Sequence, residues 1–237
     1  MAPDGNLRHW NDASVESMYD KTLLRMETEN ILSWVTPGSL VCDFGCGEGE
    51  GTLEYAKVAG SVLAVDNSET RLKFARERLS GCENVSTRTA SVLDVNAFHT
   101  DIVISQRLLV NLDSWKAQKQ AIQNLTNISQ STLILSEGSI NGAMELNRFR
   151  FQMGLKPIPV PEHNVFIDDK KLLDYMAELG WKVAGFKTLG TYYLLTRGIQ
   201  PALTTDLKWD SDFNKRSAEV ELNLDRFSRI KQWAFRR

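Results

Sequence analysis

A glycine-rich turn between a short apolar run and a helical pattern constrains the fold of this chain more than any other feature. Residues 41–51 read VCDFGCGEGEG. Glycine allows positive φ angles and close approach of the backbone to a ligand, and the N-terminus of the following helix offers free N–H groups. Asp66 follows 21 residues after Gly45, at the end of the next apolar run. An acidic side chain at this place can bind ribose hydroxyls, so the spacing predicts a cofactor that contains a nucleoside.

Apolar runs and helical patterns alternate along the chain on both sides of this turn. The predicted strands cover residues 39–44, 61–65, 85–90, 101–105 and 132–135. The predicted helices cover residues 14–35, a segment ending near 59, 68–79, 114–128 and 172–178. Ser68 is the expected N-cap of its helix, with residues 71–78 on the exposed face. Residues 181–187 and 191–196 look like the two arms of a hairpin. We therefore predict an α/β fold, Rossmann-like and doubly wound, with a mostly parallel seven-stranded sheet and an antiparallel terminal hairpin.

Three parts of the chain are expected around this alternation. Residues 1–38 form an N-terminal helical cap, and residues 39–198 form the core, in which residues 138–168 are an inserted lid. Residues 199–237 form a C-terminal helical extension, because five apolar residues in it are spaced as on one face of a helix: Val220, Leu224, Phe227, Ile230 and Trp233. We expect this extension to pack against the core. Contacts with a lid or with a second subunit are the alternative.

Charge and cysteine content narrow the class of protein and its partners. The formal net charge is -2 and the isoelectric point is about 6.0, so no overall basic field favours nucleic acid, although basic residues cluster near the C-terminus. The three cysteines argue against a disulfide framework, and the spacing of Cys42 and Cys46 is not that of a metal site. We see neither a signal peptide nor a membrane span. The expected protein is cytoplasmic, with a small-molecule substrate, no nucleic-acid, membrane or metal partner, and a homodimer left open.

Residues in the turn distinguish between two cofactors of this general shape. The dinucleotide fingerprint is G-x-G-x-x-G, but Glu stands at position 50. Glu48 and Glu50 would also repel a doubly negative pyrophosphate. S-adenosylmethionine has no phosphate and presents an ammonium and a sulfonium, which acidic residues in the turn attract. The acidic turn therefore favours S-adenosylmethionine over NAD.

The run VCDFGCGEG resembles the first motif of class I S-adenosylmethionine-dependent methyltransferases, and the resemblance covers residues 39–197. It implies that the turn wraps the methionine part of the cofactor, that Asp66 binds the ribose, and that Asp94 and Val95 in SVLDV hold the adenine. Gln106 lies where the fourth strand opens towards the sulfur, and Tyr19 is expected to reach the cofactor from the N-terminal helix. The expected cofactor-binding residues are Asp43, Gly45, Cys46, Gly47, Gly49, Asp66, Asn67, Asp94, Val95, Gln106 and Tyr19.

The substrate is expected beside the carboxyl ends of the fourth and fifth strands and beneath the lid. His163 is the expected general base, with Glu137 as its competitor, and His163 has a structural role as the alternative. Arg107 and Arg150 are suited to clamp a carboxylate or phosphate. The expected substrate-binding residues are Arg107, Asn111, Asn147, Arg150 and Asn164.

The residues after the fourth and fifth strands set several methyltransferase subclasses aside. Ser105-Gln-Arg-Leu is not the Asp/Asn-Pro-Pro-aromatic motif of the enzymes that methylate bases, and Glu137-Gly138 replaces the Asp-Asn pair of the metal-dependent catechol enzymes. The resemblance then implies metal-independent methylation of an oxygen or nitrogen of a small molecule, such as a secondary metabolite or glycan precursor. The alternative is a cofactor-binding scaffold or regulatory module that acts on a protein partner.

Overall fold

A mixed sheet of seven strands forms the centre of the molecule. The computed structural model describes residues 7–15, 18–95 and 98–237. The strands are β1 (Leu40–Phe44), β2 (Ser61–Asp66), β3 (Val85–Thr89), β4 (Thr100–Gln106), β5 (Ser129–Gly138), β6 (Lys182–Thr188) and β7 (Ile230–Arg236). Their order is β3-β2-β1-β4-β5-β7-β6. β7 runs antiparallel to both of its neighbours, and the other pairs of neighbouring strands are parallel. The predicted Rossmann-like α/β fold is confirmed.

Helices connect the strands and cover both faces of the sheet. They are α1 (Leu7–Trp10), α2 (Lys21–Leu32), α3 (Glu50–Tyr55), α4 (Glu69–Arg78), α5 (Trp115–Ile128), α6 (Ile140–Gln152), α7 (Asp169–Glu178), α8 (Gly190–Tyr193), α9 (Gln200–Leu203) and α10 (Asp212–Ser217). A side-chain oxygen caps the start of most of the longer ones: Ser68, the predicted N-cap, accepts from the Arg71 N–H, and Ser114 accepts from Ala117. None of the described helices is long and apolar enough to cross a membrane.

Apolar residues of the strands pack on both faces of the sheet. On one face Phe44, Val103 and Phe235 pack with α5 and α7, and on the other Ile104 and Ala234 pack with α2 and α3. A third apolar cluster joins α2, α6 and α8 and includes Leu146, Tyr192 and Phe227. This third cluster supports the part of the chain that follows the carboxyl ends of β5 and β6.

The end of the sheet differs from the prediction. Residues 191–196 are not a strand: they belong to α8 and to a π-helical turn at Leu194–Ile199. The antiparallel partner of β6 is β7, near the end of the chain, so the predicted helical extension is also wrong at residues 230–236. Phe235 packs on one face of the sheet and Ala234 on the other, which is the two-residue period of a strand. The sheet therefore crosses the predicted boundary at residues 198 and 199.

The N-terminal region also differs in detail. The predicted helix at 14–35 is confirmed from Lys21 to Leu32, where Asp20 caps it by accepting from the Leu23 N–H. Residues 16 and 17 of that prediction lie outside the described residues.

Arg71, expected on an exposed face of α4, is 1% exposed. Its guanidinium donates to the carbonyls of Trp10, Asp12 and Val15 at 2.8, 2.5 and 2.8 Å. Arg71 therefore holds the N-terminal segment against the start of α4.

Candidate active site

The turn after β1 is built so that its backbone closes over the ends of β1 and β2. The N–H groups of Gly45 and Cys46 donate to the Val65 carbonyl at 2.7 and 3.0 Å. Gly45 has a φ of 83°, and a Cβ there would stand 2.9 Å from the Leu108 Cβ. A larger residue at position 45 is therefore excluded both by the backbone conformation and by space. Gly47, with a φ of 53°, has open space on its side-chain face, where a ligand can approach its backbone.

Asp43 lies beneath this turn as a buried acid. It is 3% exposed, and the Thr52 hydroxyl donates to its Oδ2 at 2.5 Å. Burial raises the pKa of Asp43 to about 7, although the hydrogen bond from Thr52 lowers it. Asp43 also lines the cavity described below. A cationic ligand beside it would favour the charged carboxylate.

Asp66 ends β2 and is oriented by the turn itself. Its Oδ2 accepts from the Gly47 N–H and its Oδ1 from the Ser68 N–H, both at 2.9 Å. Each carboxylate oxygen can accept a second bond, and Asp66 lines the cavity. Glu48 and Glu50, by contrast, are compensated: Glu48 pairs with Arg71 at 2.6 Å and Glu50 with Lys21 at 3.0 Å. Asp43 and Asp66 are thus the two acids of this region that face the cavity without a cation at salt-bridge distance among the described residues.

The end of β4 is fixed by polar contacts with α2 and α3. Gln106 donates to Glu27 Oε2 at 2.7 Å and accepts from the Tyr55 hydroxyl at 3.0 Å. Glu27 is fully buried, and Arg107 Nε lies 3.4 Å from its Oε2. Burial raises the pKa of Glu27, and Arg107 opposes that shift. The sequence analysis did not identify Glu27 as a partner of Gln106 and Arg107. An acidic residue on the apolar face of an amphipathic helix indicates a buried polar contact of this kind.

Arg107 begins a tight turn that carries Asn111. Its φ is 55°, a positive value for a residue other than glycine, and its N–H donates to the Ser136 carbonyl at 2.7 Å. The Asn111 amide donates to the Arg107 carbonyl at 2.7 Å. Both side chains line the cavity. An unusual backbone conformation of this kind persists only where the surroundings hold it in place.

The insertion after β5 contributes residues to the wall of the cavity described below. It consists of α6 and a loop that returns to the sheet, where Val165 donates to the Val110 carbonyl at 2.7 Å. His163 from this loop stacks on His9 of the N-terminal segment, with ring centroids 4.4 Å apart. Asn164 also lines the cavity, and its Oδ1 is buried without a hydrogen-bond partner among the described residues. The insertion and the N-terminal segment thus meet across the cavity.

One cavity of about 1140 Å³ connects these groups. Ligand sites of single small molecules measure roughly 300–1,000 Å³, so there is room for a cofactor and a second molecule. The turn after β1 lies at one side, and residues from the insertion and from the segment between β6 and β7 lie at the other. Sequence reasoning missed Arg197, Trp209 and Arg229 in this lining, because their position depends on how that segment folds back.

Comparison with known proteins supports the interpretation of this site. Residues 41–130 match the family described as a methyltransferase domain. These residues contain the turn, Asp66 and β4. Residues 41–130 therefore have the sequence features of a methyltransferase domain.

Solved structures of methyltransferases share the fold over nearly the whole chain. Magnesium protoporphyrin IX methyltransferase from Synechocystis PCC 6803, with bound SAH, is 16% identical with a TM-score of 0.63, covering 99% of this chain and 95% of that one. N-methyltransferase NodS from Bradyrhizobium japonicum WM9 is 11% identical with a TM-score of 0.61, covering 99% and 97%. A chain from the complex of the Haloferax volcanii Trm112 methyltransferase activator with a methyltransferase is 14% identical with a TM-score of 0.66, covering 100% and 99%. Curated proteins give no sequence match.

Most of the expected cofactor-binding residues do line the cavity. They are Asp43, Gly45, Cys46, Gly47, Asp66, Asn67, Gln106 and Tyr19. Gly49 does not: it precedes α3 with a φ of 75°, and a Cβ there would meet Leu79 at 2.9 Å. Asp94 is exposed and Val95 packs against the core, while Ser91, Val92 and Leu93 line the cavity in their place. The expected adenine contacts from Asp94 and Val95 stay a prediction, which this lining does not support.

One expected catalytic residue, Glu137, and one expected substrate-binding residue, Asn147, make structural contacts. Glu137 is fully buried and does not line the cavity, so it is not placed to act as a base. Its carboxylate accepts from the Ser105 hydroxyl at 3.0 Å and from the N–H groups of residues 108–110 at 3.0 to 3.2 Å. Asn147 both donates to and accepts from the backbone of Ile158, at 2.9 and 2.8 Å, and so fixes the insertion. Arg107, Asn111, Arg150, His163 and Asn164 do line the cavity.

Proposed function

We propose that this chain is a methyltransferase that binds S-adenosylmethionine along the turn after β1 and methylates an oxygen or nitrogen of a small molecule enclosed beneath the insertion. The observation that carries the proposal is the single cavity that runs from Asp43 and Asp66 to His163 and Asn164. The residues fit the cofactor, because the buried acid beneath the turn suits a cation and the open face of Gly47 lets a ligand approach the backbone. No additional metal ion is invoked in this proposal.

The chain's own contribution to the reaction is positioning and proton removal. A bound sulfonium supplies an electrophilic methyl group, so alignment of the attacking atom provides much of the rate. The turn, Asp66 and Gln106 would hold the cofactor, and Arg107, Asn111 and Asn164 would orient the acceptor. Burial and the neighbouring His9 lower the pKa of His163, so its imidazole is neutral near pH 7 and can accept a proton from a hydroxyl or an ammonium.

The enclosure of the cavity favours a small molecule over a macromolecule as the acceptor. The His9–His163 stack and the Arg71 contacts place two chain segments over the site. The basic C-terminal residues that would suggest nucleic acid are dispersed: Lys231 pairs with Asp169 at 2.5 Å, and Arg237 lies over Trp181. A secondary metabolite or a glycan precursor is the proposed acceptor class, and the cytoplasmic location and the homodimer stay predictions.

The alternative of a regulatory scaffold loses its main support in this structure. It rested on a C-terminal extension free to bind a partner, whereas β7 lies within the sheet. Large apolar side chains of the segment before β7 are exposed, among them Leu203, Val220 and Leu222, and the alternative now rests on these.

Calorimetry with matched variants tests the proposed cofactor site. The wild-type chain should bind S-adenosylhomocysteine, with a Kd in the micromolar range or about -8 kcal/mol, and should not bind NAD. Asp66→Asn should weaken this binding by roughly tenfold or more, because hydrogen bonds to a charged group contribute about 1.5–3 kcal/mol. Asp174→Asn is the control and should change nothing, because Asp174 lies on α7 with an exposed side chain and outside the cavity lining. NAD binding without S-adenosylhomocysteine binding would contradict the proposal.

A further inference from the structure

An arginine cluster lies on the side of the cavity away from the turn after β1. It consists of Arg150 at the end of α6, Arg197 in the π-helical turn, and Arg229 directly before β7. All three line the cavity. Ile230, which follows Arg229, pairs with Gly138 at the carboxyl end of β5, whereas the turn and Asp66 follow β1 and β2. The cluster and the cofactor acids therefore lie over different parts of the sheet.

Backbone carbonyls hold the arginines in place. Arg150 donates to the carbonyl of Lys156 at 2.8 Å and to that of Arg197. Arg229 donates to the Pro159 carbonyl at 3.1 Å and lies over the Phe166 ring at 5.4 Å. These contacts orient the guanidinium groups without neutralising their charge.

Two of the three charges lack a counter-ion. Arg197 pairs with the buried Asp20, which also accepts from the Tyr192 hydroxyl. Arg150 and Arg229 have no carboxylate within 4.0 Å in the part of the chain that the structure describes. Burial lowers the pKa of both arginines, and the charges of Arg197 and Arg150 lower that of Arg229 further. Partly buried cations of this kind are costly unless an anion accompanies them.

Apolar side chains lie around the cluster. Ile158, Tyr193, Trp209 and Ile230 line the same cavity, and Arg197 lies 4.3 Å from the centre of the Trp209 ring. Guanidinium groups bind carboxylates and phosphates through paired hydrogen bonds, whereas the apolar residues suit a hydrocarbon or aromatic body. The cavity thus has acids where the cofactor's ammonium is proposed to lie and cations at the opposite side.

We propose that the methyl acceptor is an organic anion whose carboxylate or phosphate is held by Arg150 and Arg229, with Arg197 beside them. This inference rests on the proposed function and names the substrate class for that site. The apolar residues would contact the body of the molecule, so its hydroxyl or amine would face the cofactor.

Binding of matched anionic and neutral probes tests this assignment. The probes are 3-phenylpropionate, its neutral amide 3-phenylpropionamide, and phenyl phosphate, each titrated by NMR into the chain loaded with S-adenosylhomocysteine. The wild-type chain should bind at least one anionic probe roughly 10- to 100-fold more tightly than the amide, as expected for charge-assisted hydrogen bonds. Which anionic probe binds more tightly distinguishes a carboxylate acceptor from a phosphate acceptor.

Variants test whether the preference for the anionic probe comes from the arginines. The double variant Arg150→Gln/Arg229→Gln should lose most of the preference for the anion and keep the affinity for the amide. Arg148→Gln is the control: it removes one positive charge from α6, the helix that carries Arg150, but Arg148 is exposed and does not line the cavity. The comparison of acid and amide on the wild-type chain needs no variant, so it applies even where the double variant does not fold.

Several results would overturn the assignment. They are equal affinity for the acids and the amide, no binding of either acid, or an equal loss of acid binding in the Arg148→Gln control. Titration of the same wild-type protein with S-adenosylhomocysteine tests the proposed function separately from the anionic substrate. Failure to bind S-adenosylhomocysteine contradicts the proposed function, whereas cofactor binding without anion preference contradicts the anionic substrate alone.

Discussion

Replacing Glu137 distinguishes a structural carboxylate from a catalytic base. Its Oε1 accepts from the Ser105 hydroxyl and the N–H groups of Leu108 and Leu109, and its Oε2 accepts from the Val110 N–H. Burial raises the pKa of Glu137 to about 8, although these four donors lower it. The carboxylate therefore ties the end of β4 to β5 and holds the turn that carries Arg107 and Asn111.

The expected loss of folding stability in the Glu137 variants follows from the number of hydrogen-bond donors that lose their acceptor. Each buried donor left unsatisfied costs about 1–3 kcal/mol, and relaxation or water recovers part of that cost. Glu137→Ala removes the acceptor of four donors, so we expect a loss of about 3–6 kcal/mol, against a typical total stability of about 5–15 kcal/mol. Glu137→Gln retains one acceptor oxygen and places an amide nitrogen near the Val110 N–H, so we expect a loss of about 1–3 kcal/mol.

Urea unfolding followed by circular dichroism measures these losses. Glu145→Ala is the control, because Glu145 lies on α6 with a partly exposed side chain and its change should stay within about 0.5 kcal/mol. Cofactor binding should weaken with Glu137→Ala, since the turn that it holds lines the cavity. The structural role would be refuted if both Glu137 variants unfold at the same urea midpoint as wild type but lose methyl transfer. Glu137 would then again be a candidate base.

Two further predictions concern the reaction and the cofactor. His163→Ala should lower methyl transfer by roughly 10²- to 10⁴-fold if His163 is the general base, with S-adenosylhomocysteine affinity nearly unchanged and the exposed His99→Ala as the control. The assay is mass spectrometry of an acceptor found in a metabolite extract, and wild-type turnover would make His163 structural. Asp43 has a pKa of about 7 and must lose its proton to pair with the ligand's ammonium, so affinity for S-adenosylhomocysteine should rise with pH, by up to about tenfold per unit, and level off above pH 7. Calorimetry between pH 6 and 8 checks this, and an unchanged slope in Asp43→Asn would assign the titration to another group.

Local signals explain what the sequence predicted well. β1, β2, β4 and β5 are apolar runs bounded by glycine or by polar turns, and each lies inside the sheet between two neighbouring strands. The turn at Gly45 needs glycine because its φ angle is positive. Asp66 follows from its place at the end of β2. These features depend on short stretches of chain, so a single sequence contains them.

Features that depend on contacts between distant parts of the chain could not be predicted from the sequence. Apolar residues at positions 227, 230 and 233 fit a helical spacing, and nothing local shows that β7 lies between β5 and β6. Arg71 looks like one of several surface arginines of α4 until the N-terminal segment supplies the carbonyls that it binds. Glu137 was correctly expected at the end of β5, but the direction of its carboxylate is decided by the turn at residues 107–110. The sequence also does not show that Ser91, Val92 and Leu93, rather than Asp94, line the cavity, because the segment that carries them is irregular.

The position of β7 makes the last residues of the chain part of the core, and truncation tests this. Removing residues 230–237 takes away a strand paired with both β5 and β6, together with the buried side chains of Trp233 and Phe235. Loss of each large aromatic costs about 3–5 kcal/mol, so the two alone approach the typical stability of a whole domain. We expect the truncated chain to lose cooperative thermal unfolding and S-adenosylhomocysteine binding, whereas removal of the exposed Arg237 alone should preserve both. A truncated chain that unfolds cooperatively and binds the ligand as the full chain does would show that these residues are dispensable and would contradict their place in the core.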